Sequence, residues 1–272
     1  MLVRAIPSSG ETIPAVGLGT WQAFDVDDPS ERGAQREVLR RFVELGGRVV
    51  DSSPMYGAAE SAVGDLAVEL GVRDALWIAT KVWTTGRAAG LAQMERSLRR
   101  LRRKRLELLQ IHNLVDWQTH LATLREWKDA GRIRYLGITH YSAAGHDALE
   151  RVMRSEALDV VQLNYSVVER EAERRLLPLA HERGVAVLVN RPLAQGALLG
   201  RLEGRRLPPW AAEIECASWA QLCLKWILAH PAVTCVIPAT SRLAHLEDNM
   251  RAGLGRLPDP AMRQRIAALL NG

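Results

Sequence analysis

Short, apolar, strand-like runs alternate along this chain with helix-like segments, and no other feature restricts the possible folds so much. Val16 to Gly19 precedes a helix near Glu31–Glu44. Val49 to Asp51 precedes one near Glu60–Leu70, Leu76 to Thr80 one near Arg87–Arg102, and Leu106 to Ile111 one near Thr119–Ala130. The second half repeats the beat. Tyr135 to Thr139, Val160 to Asn164, Ala186 to Asn190 and Cys235 to Pro238 read as strands, with helices near Ala143–Ser155, Glu173–Arg183, Cys216–His230 and Arg242–Leu254. Runs such as Val185 to Val189 are apolar on both faces, as parallel strands covered by helices must be.

Eight such units close naturally into a (β/α)8 TIM barrel, and the 272 residues suit a fold whose typical length is about 250. A single domain over residues 1–272 is expected, opened by an N-terminal β-hairpin of Leu2 to Arg4 and Glu11 to Pro14 turning at Ser8, Ser9 and Gly10. A doubly wound open sheet would carry a glycine-rich phosphate loop after an early strand. Gly17-Leu18-Gly19-Thr20 lacks the third glycine and the tight strand-to-helix step of that fingerprint. One connection breaks the rhythm, from Pro192 to about Glu215. A loop of that length reads as a lid or binding loop, or else as a mobile insertion.

The net charge of +5 does not single out nucleic acid as a partner, because the basic residues are dispersed and 31 acidic residues accompany them. The dense run Arg99 to Arg105 reads as a solvated helix end, where cations are favoured by the helix dipole, with a polyanion patch as the alternative. Only Lys81, Lys104, Lys128 and Lys225 among the 36 basic residues are lysines, so a lysine ending a strand is noticeable. Cys216, Cys223 and Cys235 lack metal-ligand spacing and read as buried thiols, and no metal site is expected. No stretch approaches the roughly 20 apolar residues of a membrane span, so a cytoplasmic protein without membrane contact is expected.

In a parallel barrel all strands open their carboxyl ends onto one face. Asp51, Tyr56 just beyond it, Lys81 and His112 would therefore converge there. A phenol beside an ammonium is a proton donor for work near neutral pH. The free phenol, with a pKa of about 10, is a reluctant acid, and a neighbouring cation favours its ionised form. Asp51 would hold Lys81 and keep it charged, and His112 could hydrogen-bond a substrate oxygen. Reduction of a carbonyl needs such groups, because hydride transfer develops negative charge on oxygen.

Five motifs carry a resemblance covering nearly the whole chain. They are Gly17-Leu18-Gly19-Thr20-Trp21, the run Asp51-Ser52-Ser53-Pro54-Met55-Tyr56-Gly57 with Glu60 beyond it, Thr80-Lys81-Val82-Trp83, Leu109-Gln110-Ile111-His112, and the segment from Gly131 to Gly137. In this order they resemble the aldo-keto reductase superfamily. The resemblance implies a barrel that reduces aldehydes or ketones with NADP(H), or less often NAD(H), and it gives Asp51, Tyr56, Lys81 and His112 the catalytic roles derived above.

It also implies a cofactor site. Gly19, Thr20 and Trp21 contribute from the first strand end, and Thr139, His140 and Gln162 stand where the carboxamide of the nicotinamide is usually held. Thr139 and His140 depart from the usual Ser and Asn. Asn190, Arg191, Pro192, Leu193, Gln195 and Gly196 follow, with Asn190 where an aromatic residue commonly stacks on the ring. Ile237, Pro238, Ala239, Thr240, Ser241, Arg242, His245, Asp248 and Asn249 match the adenosine-phosphate segment. Ala239 and His245 replace the usual Lys and Arg there, Arg242 offers a substitute charge, and Thr240 and Ser241 read either as phosphate donors or as helix caps. Trp21, Trp83 and Trp117 would wall the substrate pocket, and Asn113 would make it roomier. The expected partner is a small-molecule carbonyl substrate, and the expected state a monomer or weak oligomer. A cofactor-binding redox-sensing or regulatory barrel is the alternative function.

Overall fold

In the computed structural model, which describes residues 1–271, the two N-terminal triplets β1 (Val3–Ala5) and β2 (Thr12–Pro14) pair as an antiparallel hairpin. It plugs the amino-terminal end of the barrel. Ile6 and Ile13 are buried, the Tyr135 hydroxyl donates to Glu11 at 2.5 Å, and Glu11 also pairs with Arg134.

The barrel strands are β3 (Leu18–Gly19), β4 (Val49–Asp51), β5 (Trp77–Val82), β6 (Leu106–His112), β7 (Ile133–Thr139), β8 (Val160–Asn164), β9 (Ala186–Asn190) and β10 (Val233–Val236). They are hydrogen-bonded in sequence order, all parallel. Parallel bridges from Val16 to Val236 and from Gly19 to Ala239 join the first strand to the last. Gly19 permits this approach, since a Cβ there would sit 2.7 Å from the Ile237 carbonyl oxygen.

Around the strands lie α1 (Gly33–Glu44), α2 (Ala59–Glu69), α3 (Arg87–Arg100), α4 (Trp117–Asp129), α5 (His146–Ser155), α6 (Leu176–Glu182), α7 (Ala197–Arg201), α8 (Trp219–Leu228), α9 (Leu243–Arg251) and α10 (Pro260–Asn271). Several begin later than the sequence pattern suggests. The helix expected from Cys216 starts at Trp219, because Ser218 caps it by accepting from the Gln221 amide at 3.1 Å. The connection from Pro192 to Glu215 carries regular structure of its own. It contains α7 and short 3-10 turns, and Leu198, Leu202, Ala211 and Ile214 anchor it in the core.

The barrel interior obeys the two-residue period of a strand. Val49 and Asp51 share the inner face of β4, as do Trp77, Ala79 and Lys81 in β5, Leu108, Gln110 and His112 in β6, and Val160 and Gln162 in β8. The lower members form an apolar cluster with Ile6, Ile13, Tyr135, Leu188 and Cys235. One step towards the carboxyl ends the lining becomes polar, so one alternation builds the core and the floor of a site.

Candidate active site

Lys81 is fully buried where β5 emerges, and its Nζ donates to Asp51 Oδ2 and to the Ser52 carbonyl oxygen, each at 2.7 Å, with the Tyr56 side chain as a further neighbour. Burial disfavours the ammonium, but Asp51 and Tyr56 outweigh that and hold Lys81 above its ordinary pKa, so it is charged. The other Asp51 oxygen, Oδ1, accepts from Gln162 Nε2 at 2.8 Å and from Gln110 Nε2 at 3.3 Å. The buried carboxylate is thus paired and hydrogen-bonded on both sides, as a charge removed from water requires.

Tyr56 lies in the loop between β4 and α2, and Lys81 Nζ is 4.9 Å from the centre of its ring. The loop is tied at both sides. The Tyr56 amide donates to the Ser53 carbonyl at 3.0 Å, and the Ala58 amide donates to Asp25 Oδ1 at 2.8 Å. Gly57, at φ +57°, makes room for that carboxylate, into which a Cβ would run. Burial raises the Tyr56 pKa; Lys81 pulls against it and Asp51 adds to it, so the balance lies above the ordinary phenol value. This differs from the expectation of a net lowering, because the phenol is withdrawn from water. The phenol is therefore protonated at neutral pH, with a cation in place to receive the charge if the proton leaves.

His112 ends β6 beside Tyr56, their rings in an edge-on arrangement with centres 5.9 Å apart, and Trp83 lies on another side at 6.4 Å. Burial, then the charge of Lys81, then His140, depress its pKa from 6.5 to about 2, so the ring is neutral. The four residues of the expected constellation are thus gathered at one end of the barrel.

Thr139, Gln162 and Asn190 lie together on neighbouring strand ends. Gln162 Oε1 accepts from Thr139 Oγ1 at 3.3 Å and from Asn190 Nδ2 at 3.4 Å, while Asn190 Oδ1 is enclosed with no partner among the described residues. A nicotinamide carboxamide supplies the N–H group that Asn190 Oδ1 lacks, and on this observation the residues fit the cofactor. The ring of His140 stacks on Tyr141 and accepts from the Ser142 amide at Nδ1 over 3.3 Å, leaving Nε2 to carry the hydrogen. Arg191 donates to the Tyr141 carbonyl at 3.2 Å and reaches Glu169 at 3.4 Å. Pro192 is buried, and Leu193 is half-buried against the core.

Backbone strain concentrates at this end. Among the described residues, seven of the nine non-glycine residues with positive φ, namely Gln22, Asn113, Leu114, Asp116, Arg191, Ala194 and Gln195, follow the carboxyl ends of β3, β6 and β9. Such outliers persist where surrounding contacts over-determine them, and they gather at ligand-binding loops.

The remaining expected residues divide. Gly19 and Thr20 are buried at the first strand end, Thr20 donating to the Asp51 carbonyl and to Ser52 Oγ, each at 3.0 Å, whereas Trp21 is 39% exposed at the rim. Trp83 is clamped through its backbone by Gln93, which accepts from the Trp83 amide at 2.6 Å and donates to its carbonyl at 3.0 Å. Trp117 opens α4 and packs partly buried against the core, and Asn113 is half-buried with its Oδ1 enclosed and unpartnered among the described residues. After β10, Ile237 and Pro238 are buried, Ser241 is half-buried, and Ala239, Arg242 and His245 are exposed. Thr240 Oγ1 accepts from the Arg242 amide at 3.0 Å, so its side chain is folded onto the local turn. Asp248 is engaged by Ser218 at 2.7 Å and Gln221 at 2.6 Å, and Asn249 is buried. Gln195 and Gly196 are exposed in the turn before α7.

Sequence reasoning did not single out Gln110, which buttresses Asp51, or Ser53, whose hydroxyl meets His112 Nδ1 at 3.1 Å. The alternation that places Gln110 two residues before His112 on the same strand face was the available signal. No local pattern marks Ser53.

Residues 15–269 match the family model described as the aldo/keto reductase family. Over 257 residues the chain is 30% identical to methylglyoxal reductase YeaE of Escherichia coli, covering 92% of this chain and 89% of that protein. It is 27% identical over 305 residues to L-glyceraldehyde 3-phosphate reductase of the same organism, covering 93% and 87%. Among solved structures, an aldo/keto reductase from Klebsiella pneumoniae in complex with NADP and acetate superposes with a TM-score of 0.83 at 25% identity, covering 99% of this chain and 96% of that one.

Proposed function

Because the chain belongs to the aldo/keto reductase family, we propose that Asp51, Tyr56, Lys81 and His112 are the groups with which it reduces small aldehydes and ketones at the expense of NADP(H). One observation carries the assignment: a protonated phenol, a neutral imidazole and a buried, paired ammonium stand together at the carboxyl ends of β4, β5 and β6. The named activities of the relatives, on methylglyoxal and on glyceraldehyde 3-phosphate, point to small, oxygen-rich carbonyl compounds as substrates.

When bound, the reduced nicotinamide supplies the hydride. Asn190 Oδ1 would accept from its carboxamide, with Gln162, Thr139 and His140 beside it, while Arg191 and Arg242 offer charges for phosphate groups. The chain's own residues manage the oxygen. Tyr56 donates its phenolic proton there as negative charge develops, and Lys81, kept protonated by Asp51, stabilises the phenolate left behind. His112, neutral and fixed between Tyr56 and Trp83, orients the carbonyl by a hydrogen bond. Trp21, Trp83 and Met55 are exposed around the mouth and form the apolar side of the substrate pocket. Three free, buried thiols at Cys216, Cys223 and Cys235 suit the reducing cytoplasm, where we place the protein.

The test is Tyr56→Phe. Removal of one general acid lowers turnover by about 10² to 10⁴, and cofactor affinity, read by quenching of nicotinamide fluorescence, should stay close to that of the parent. An aldehyde reduced at the parental rate by this variant would remove tyrosine from the mechanism.

A further inference from the structure

We propose that Ser53 is a positioning residue that fixes the tautomer of His112, donating its hydroxyl proton to Nδ1 so that Nε2 carries the hydrogen presented to the substrate oxygen. The inference rests on the role proposed for His112.

The proton inventory of the pair supports it. Ser53 is fully buried, and its Oγ accepts from the Met55 amide at 3.4 Å and meets His112 Nδ1 at 3.1 Å. Its hydroxyl proton has one acceptor among the described residues, and that is Nδ1. Were Nδ1 itself protonated and donating to Oγ, the serine proton would be left buried with nothing to bind, a costly state for an enclosed donor. The ring cannot resolve the conflict by carrying both protons, because burial and the nearby Lys81 ammonium keep it neutral. Nε2, in contrast, has no partner among the described residues and is not among the enclosed unpartnered atoms, so it is the nitrogen that a ligand can reach. A histidine that orients a carbonyl must offer it a hydrogen; the opposite tautomer would offer a lone pair to a lone pair. Ser53 comes from the same loop as Tyr56, whose amide donates to the Ser53 carbonyl at 3.0 Å, so one turn places the phenol and sets the imidazole.

The experiment is long-range 1H–15N NMR of the histidine rings in the parent, Ser53→Ala and Ser53→Thr proteins, with turnover of a small aldehyde measured on the same samples and the His112 signals identified by their loss in His112→Gln. The parent should show protonated Nε2 and unprotonated Nδ1. Ser53→Ala should show a mixture of tautomers, with kcat lowered about tenfold and the affinity for NADPH unchanged, as loss of one net hydrogen bond implies. Ser53→Thr, which keeps the hydroxyl, should restore both. A parent ring protonated at Nδ1 would overturn the inference even if Ser53→Ala failed to fold, and so would a Ser53→Ala protein with parental spectrum and rate. If the spectra behave as expected but the parent reduces no carbonyl, the tautomer assignment stands and the proposed function falls.

Discussion

The buried Asp51–Lys81 pair has two different duties, because the carboxylate that keeps the ammonium charged also pushes the Tyr56 phenol upward. The cation is therefore the partner whose loss should be felt most directly at the phenol. In Lys81→Met the influence opposing burial disappears, the Tyr56 pKa rises further, and turnover should fall, with the alkaline limb of the remaining pH profile displaced to higher pH. Asp51→Asn removes a charge that raised the phenol, so with Lys81 still protonated it should displace that limb the opposite way, to lower pH. The check is kcat against pH with a substrate whose chemical step is rate-limiting, and profiles unchanged in both variants would show that no electrostatic chain operates. Melting should be recorded alongside, since an unpartnered buried carboxylate costs about 3–5 kcal/mol.

Among the elements, the strand-to-helix step after β10 departs most from a uniform phosphate grip. Thr240 is committed to its own turn, Asp248 to Ser218 and Gln221, and α9 begins only at Leu243. Arg242 immediately precedes that helix, extended and exposed, and its side chain has no ion pair among the described residues. A charge in that position meets the additional phosphate of NADPH and has no counterpart on NADH. Arg242→Ala should therefore weaken NADPH by about tenfold and leave NADH nearly unaffected, as titration of each cofactor can measure. Equal losses would assign the phosphate contact to another residue. With a single arginine at this step, the parent preference for NADPH is expected to be modest.

Across the whole molecule, two consequences follow from how the barrel is closed and filled. The first concerns acid. His112 and His230 are held in neutral form, their pKa values depressed to about 2 and about 4, by burial first and by neighbouring cations second. In the unfolded chain each binds a proton near pH 6.5, so between those values the unfolded state carries more protons and stability falls as pH falls. His230→Asn keeps an acceptor for the Ala232 amide, which now donates to His230 Nδ1 at 3.2 Å. That variant should flatten the decline in melting temperature between pH 7 and 5, by about 1 kcal/mol at the acid end once the solvent reaching the ring is allowed for. An identical slope in parent and variant would exclude His230 as a source. The second concerns substrate. The connection from Pro192 to Glu215 is anchored in the core at Leu198, Leu202, Ala211 and Ile214, and Trp21, Met55 and Trp83 stand exposed. A pocket so open separates homologues weakly, since even a fitted apolar site gains only about 1–3 kcal/mol per methylene. Small aldehydes of increasing chain length should react with similar kcat/KM, and one favoured by several orders of magnitude would contradict this.

Much of this architecture is legible in the chain because its determinants are local. The alternation of segments, eight units without a glycine-rich phosphate loop, points to a barrel, and the two-residue period of each strand dictates that Asp51, Lys81, Gln110, His112 and Gln162 face inward above Val49, Trp77, Leu108 and Val160. Parallel strands paired in sequence order then bring residues far apart in the chain to one end. What the pattern does not contain is the choice among partners once they meet. Ser53 finds His112 across 59 residues, Gln162 finds Asp51 across 111, and Asp248 is drawn to Ser218 and Gln221. Each outcome depends on distances of a few tenths of an ångström, set by the closed barrel and not by any neighbouring residue in sequence. The acidity of Tyr56 is of the same kind. Lys81 can be read from the sequence as a lowering influence, but burial is a property of all the atoms that exclude water, and here it outweighs the charge.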